Sequence, residues 1–142
     1  MTNPLLTDWN TPFGLPPFGA ISDDDFAPAV DAALALSRAN IAAIADDPDA
    51  PDFANTIAAL EQADATLNRV LGAFYSLAGA DSNPARDALQ RDFAPLLSAY
   101  SSEISENKAL FARIEALWTA RDTLDLTAEQ QRVLMLTRRG FV

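Results

Sequence analysis

From Phe26 onward apolar residues recur at helical spacing, whereas ahead of it they are punctuated by prolines. Phe26, Val30, Leu34, Ile41 and Ile44 form one stripe of a first helix that Asp24 or Asp25 can cap. Pro28 confines the start of that helix, because a proline ring fits only its first turn. The stretch "DDPDAPD", Asp46 to Asp52, ends it in a loop. Phe53, Ile57, Leu60, Leu67, Leu71, Phe74 and Ala78 then keep a 4-3 spacing that only Asp64 interrupts, which predicts a long second helix. Gly79 is its expected C′ residue, and Asn83–Pro84 supplies the Ncap and first residue of the third.

In the third helix Leu89, Phe93, Leu96, Tyr100 and Ile104 face one way, Asp87 and Arg91 form an i,i+4 pair, and Pro95 should kink the rod. A fourth helix follows Asn107 with Leu110, Phe111, Ile114, Leu117 and Trp118, and it runs out near Asp122. Thr127 and Gln130 read as a capping box for a fifth, which carries Val133 and Leu134 and is still helical in character at "TRRGFV". No stretch alternates with a period of two. The expected fold class is all-α: a bundle of about five helices behind an extended, proline-rich strap over residues 1–21, with the helical domain over residues 22–142.

The chain has 142 residues, 49% of them hydrophobic and 21% charged, which suits one globular domain rather than disorder. Its formal charge is −10, and residues 1–80 hold eleven acids against Arg38 and Arg69. Nucleic acid and anionic membranes are therefore not expected partners. The strap lacks a basic leader region and an unbroken apolar run, so it does not read as a signal peptide, and a cytoplasmic location is expected.

The chemistry is defined mostly by what is missing. There is no histidine and no cysteine, which removes the commonest general base, the commonest transition-metal ligand and every thiolate. Asp23, Asp24 and Asp25 could hold a cation but sit where helix N-termini favour acids. Asp47, Asp49 and Asp52 lack the glycine and distal glutamate of a calcium loop and read as solvated. Glu61 and Asp64, three apart, could act as an acid and base, although one polar break in an apolar seam is more often structural. Arg138 and Arg139 could clamp an anion or simply complement a helix end. Trp9, Phe13, Phe18, Tyr75 and Trp118 could line a ligand pocket or join the core. From the residues alone, no catalytic, cofactor-binding or metal-ligating set is assigned.

Taken in order, "NPLLTDWNTPFGLPPFGAI", "DFAPAVDAAL", "DFANTIAALEQADATLNRVLGAFYSLAGADSNP" and "LFARIEALW" running to "LTAEQQRVLMLTRRGFV" resemble the beginning of the thimet oligopeptidase-like zinc metallopeptidases. The nearest branch is that of the bacterial peptidyl-dipeptidases and oligopeptidase A, and "DFANTIAALEQ" with Arg69 is the most specific part. The resemblance implies a helical wall of the channel that admits short unstructured peptides, with the strap laid in crevices of the enzyme body. It implies zinc in the full-length parent, held by the two histidines of H-E-x-x-H and a later glutamate, with the motif's own glutamate as general base. None of those residues is in this chain, and Asp25 stands where such proteins often have histidine. Two readings follow. The chain is the N-terminal part of a longer peptidase, inert alone and partnered by the missing catalytic domain and its oligopeptide substrate. Alternatively it is an acidic interaction or regulatory module derived from one. A small-ligand carrier has only the aromatics in its favour. A homodimer through the C-terminal helices is expected of the isolated chain, because Val133, Leu134, Leu136 and Phe141 would lie uncovered.

Overall fold

A computed structural model describes residues 3–141. Among them every regular element is helical and no strand occurs. The helices are α1 (Phe26–Ala45), α2 (Ala59–Ala63), α3 (Ala65–Ala80), α4 (Pro84–Ser105), α5 (Lys108–Ala120) and α6 (Ala128–Arg139). A π-helical turn, Phe53–Ala58, leads directly into α2, and α3 follows after a break at Asp64. With this run counted once, the five helices expected from periodicity are present. No helix among the described residues is long and apolar enough to cross a membrane.

Local chemistry sets most of the helix starts. Thr127 Oγ1 accepts from the Gln130 N–H at 3.1 Å and Gln130 Oε1 accepts from the Thr127 N–H at 2.9 Å, the box read from the sequence. Asn107 caps α5 through the Leu110 N–H, and Asn83 caps α4 through the Arg86 N–H, ahead of Pro84. Asp52 and Asn55 make a reciprocal pair at the π-turn, a cap the apolar pattern does not announce. At α1 the assignment to Asp24 or Asp25 needs correction. A 3₁₀ turn, Asp23–Asp25, precedes Phe26, and the Asp25 carboxylate reaches back to the Ser22 N–H at 2.8 Å, so the cap position belongs to Ser22. Gly79 is also not the C′ residue. α3 continues to Ala80 with Asp81 at its end, since nothing at Gly79 requires a left-handed backbone.

The chain divides into two compact units. One holds residues up to Ser37 together with Asp64–Ser98, and the other holds Arg38–Ala63 together with Ala99 onward. In the first, Phe74 is fully buried, and the rings of Phe26, Phe93 and Tyr75 meet it edge-on at centroid distances of 5.1, 5.0 and 5.3 Å. Such contacts contribute about 0.5–1.5 kcal/mol each beyond area burial. Leu5, Val30 and Val70 are buried completely in the same unit. Beyond the break at Asp64 the seam keeps Leu67 and Phe74 buried, and between them Val70 is fully buried while Leu71, which the 4-3 pattern named, is half-buried. In the second unit Ile41, Ile44, Ile57, Leu110, Ile114, Leu117 and Leu134 form one apolar cluster. Leu134 is therefore core rather than uncovered surface, and Met135 and Leu136 are the large apolar residues that α6 exposes.

α4 runs unbroken through Pro95, which lies on its exposed side, where water can reach the Arg91 carbonyl that proline cannot serve. Leu96 is 40% exposed, and Leu97 continues the seam from Phe93 to Tyr100. Asp87, read as the partner of Arg91, accepts a hydrogen bond from Ser82 Oγ at 2.6 Å.

Candidate functional site

Arginines organise the polar chemistry of both units. In the second, Arg113 lies three residues past Leu110 and four before Leu117, so its backbone belongs to the buried face of α5. Its side chain is 9% exposed. Nη1 donates to the carbonyl oxygens of Asp47 and Asp49, both at 3.0 Å, and Nη2 donates to Asn55 Oδ1 at 3.1 Å. The Asp47 carboxylate stands 3.9 Å away. The loop read as solvated is thus tied to α5 by a cation. Asp47 Oδ1 further accepts from the Asp49 N–H at 2.9 Å, and Asp52 serves Asn55. Nothing in the sequence marks Arg113, because one cation on an apolar face has no local signature; the tie comes from a loop more than sixty residues earlier.

A second arginine group surrounds Trp118. The Arg121 guanidinium carbon is 4.1 Å from the Trp118 ring centre and that of Arg138 is 5.2 Å from it, both in cation–π range. Arg121 Nη1 donates to the Trp118 carbonyl at 2.6 Å. Arg138 donates twice to Glu115, at 2.7 and 3.2 Å. Those hydrogen bonds hold the Glu115 carboxyl below its ordinary range and push the Arg138 guanidinium up. Arg138 therefore spends its donors on Glu115, and Arg139 is exposed, so the two do not make the anion clamp that their adjacency allows.

In the first unit the strap is pinned between Asn3 and Trp9. Asn3 Nδ2 donates to the Asp25 carbonyl at 2.8 Å, and Trp9 Nε1 donates to the Pro4 carbonyl at 3.1 Å. Arg69 lies 4.9 Å from the Trp9 ring centre, and its Nη2 donates to the Thr7 carbonyl at 3.4 Å. Farther on, the apolar side chains of the strap are not covered by the described residues. Phe13 is 99% exposed at φ 60°, and Leu15 and Phe18 are exposed as well. Short 3₁₀ turns at Pro12–Gly14 and Phe18–Ala20 turn these side chains outward.

Of the three successive aspartates, Asp23 takes Arg86 Nε at 2.8 Å and Asn83 Nδ2 at 3.1 Å. The Arg86 hydrogen bond, then that of Asn83, holds the Asp23 carboxyl below its usual 3.8. A depressed folded-state value stabilises fully above the usual value and loses that stabilisation as pH falls through the folded one. Wild-type melting temperature should therefore drop on acidification from roughly pH 5 to pH 3, and D23N should show a shallower acid limb, with Glu115 retaining its own share. Parallel curves for the two proteins would remove Asp23 from the acid response.

Glu61 is exposed and Asp64 half-buried, and the break between α2 and α3 separates them, so they do not share a helix face as an acid and base would. The aromatics disperse: Trp9 lies against Arg69, Trp118 against two other arginines, and Phe13, Phe18 and Tyr75 are exposed. Among the described residues no three carboxylates come together as a metal site. With no histidine or cysteine in the sequence, the donors present do not fit zinc, which favours nitrogen and sulfur ligands in tetrahedral sets.

No family model matches the chain. It is similar to the dipeptidyl carboxypeptidase of Salmonella typhimurium (strain LT2), with 40% identity over 141 residues that cover 99% of this chain and 21% of that protein. The dipeptidyl carboxypeptidase of Escherichia coli (strain K12) is 37% identical over 140 residues, with the same two shares. Oligopeptidase A of Salmonella typhimurium is 30% identical over 141 residues and is covered to 20%. The chain thus spans about a fifth of the length of these relatives and matches an N-terminal fragment of that branch.

Proposed function

We propose that this chain is the N-terminal helical part of a zinc-dependent oligopeptidase or peptidyl-dipeptidase, one wall of a channel for short unstructured peptides in the cytoplasm. The carrying observation is collinear similarity over 99% of the chain to only 21% of relatives that are peptidases by name. In this reading the metal, its ligands and the general base come from the catalytic remainder. The arginine ties of this chain then have a positioning role, since they fix the acidic loop and the start of the strap.

The reading is tested by the reading frame beyond Val142, which should continue and later encode H-E-x-x-H; a stop codon there would overturn it. The isolated chain should also leave unstructured peptides uncut in the presence of zinc, as judged by mass spectrometry. Carboxylates alone favour hard cations over zinc. Zinc-dependent hydrolysis that survives repurification would count against the proposal.

A further inference from the structure

At the corner where α4 ends and α5 begins, the second unit carries a cavity of about 300 Å³ lined by Ser105, Glu106, Asn107, Lys108, Phe111 and Phe141. Its apolar wall is made of two half-buried rings, Phe111 and Phe141, stacked with centres 6.1 Å apart and planes at 22°. Two of its polar side chains are already spent. Ser105 Oγ donates to the Ser101 carbonyl at 3.1 Å, and Asn107 Oδ1 accepts from the Leu110 N–H at 3.0 Å. The other two are the charged groups of Glu106 and Lys108. Neither side chain has an ion-pair or hydrogen-bond partner among the described residues, and they do not pair with each other. Lys108 is also the only lysine of the sequence, its other cations all being arginines.

We infer that this cavity binds a free dipeptide with an apolar side chain, its carboxylate on Lys108, its ammonium on Glu106 and its side chain against Phe111 and Phe141. Opposite charges lining one cavity select against a ligand of a single sign, because an anion would meet Glu106 and a cation would meet Lys108. A zwitterion satisfies both. Head groups that do not touch each other call for ligand charges held apart. One peptide unit separates the two Cα atoms of a dipeptide by about 3.8 Å, whereas both charges of a single amino acid share one carbon. The cavity volume lies at the small end of the range for ligand pockets, which leaves no room for a longer peptide. Exposed charges alone bind weakly in water, and the two rings supply the apolar contact that they lack. The ligand class deepens the function proposed above, since a peptidyl-dipeptidase releases such zwitterions, while the site rests on this chain's own residues.

The probe is the dipeptide Ala-Phe with free termini, titrated into the nitrogen-15-labelled chain. Amide shifts should move saturably at residues 105–111 and at Phe141, with a Kd of about 0.1–1 mM. Acetylating the amine or amidating the carboxylate of the probe should each weaken binding about fivefold or more. E106Q and K108Q should melt as wild type does, since both side chains are exposed, and each should weaken Ala-Phe by a similar factor. The crossed pairs carry the assignment: K108Q should not weaken the amidated probe further, nor E106Q the acetylated one. The inference is overturned by the absence of saturable shifts up to about 10 mM, by shifts centred elsewhere, or by wild-type affinity in both variants. Equal affinity for the free, acetylated and amidated probes overturns it too, because the rings would then adsorb any apolar group. The titration decides this site whatever the reading frame beyond Val142 shows, so the proposed function and this inference fail separately.

Discussion

Replacing Phe74 with alanine is expected to cost about 3–5 kcal/mol, the largest loss for any single side chain in the molecule. The ring is fully buried, and three other aromatics meet it at centroid distances of 5.0 to 5.3 Å. Truncation removes the transfer free energy of the ring and leaves a void whose walls, Phe26 and Phe93, are held by their own helices and cannot collapse inward. It also deletes three edge-to-face contacts at once, whereas F93L removes one and refills part of the space. The order of loss should therefore be F74A, then F74L, then F93L. Urea unfolding reads it as a lower midpoint with an unchanged slope. A cost below about 1.5 kcal/mol for F74A would mean that the three rings repack without it.

Arg113 is expected to rank next, although two effects oppose each other there. Replacement by methionine keeps most of the aliphatic volume but withdraws three hydrogen bonds and a positive charge from the carbonyls of Asp47 and Asp49 and from Asn55. Breaking a buried charged network typically costs about 3–5 kcal/mol. Against this, Asp49 and Ala50 are exposed, so water can reach part of the freed loop. The Nε of Arg113 is also buried without a hydrogen-bond partner, and its removal returns about 1 kcal/mol. A net loss of about 2–3 kcal/mol follows, with R113K intermediate. The distinguishing measurement is local. Proteolysis between Asp46 and Asp52 should accelerate in R113M well before global unfolding does. Equal cleavage rates would show that the caps at Asp52 and Asn55 hold the loop without the arginine.

What the sequence makes legible is what is decided within a few residues. Thr127 with Gln130, and Asn83 with Pro84, are caps whose partners lie three positions away, and both appear as read; Asn107, after which the spacing places the fourth helix, caps it in the same way. The helices themselves follow from apolar spacing, because that spacing is how each buries its face. Apart from the local end signals of α1 and α3, misread at Asp24 or Asp25 and at Gly79, the errors arise where packing decides. Leu96 and Leu97 are equally apolar and both fit the spacing between Phe93 and Tyr100, yet Leu96 is exposed and Leu97 half-buried. Val70 and Leu71 both fit the helical face between Leu67 and Phe74, and spacing alone does not choose Val70, the one that is fully buried. Arg113 is invisible for the same reason: its meaning lies in a loop that the chain has already left.

Neither compact unit is continuous in sequence. The first is completed only by residues 64–98, and the second opens at Arg38 but needs the helices that follow Ala99. During synthesis a chain folds in the order in which it emerges. Here, however, α1 leaves the ribosome with its first half waiting for Phe74 and Phe93 and its second half waiting for Leu110 and Leu134. Closing those contacts spans loops of some fifty to ninety residues, and non-local closure slows folding. No single backbone cut can release either unit whole, so a nascent chain halted anywhere before α6 holds unpaired apolar surface. The interleaving thus makes the last helix to be synthesised a partner required by residues laid down near the start.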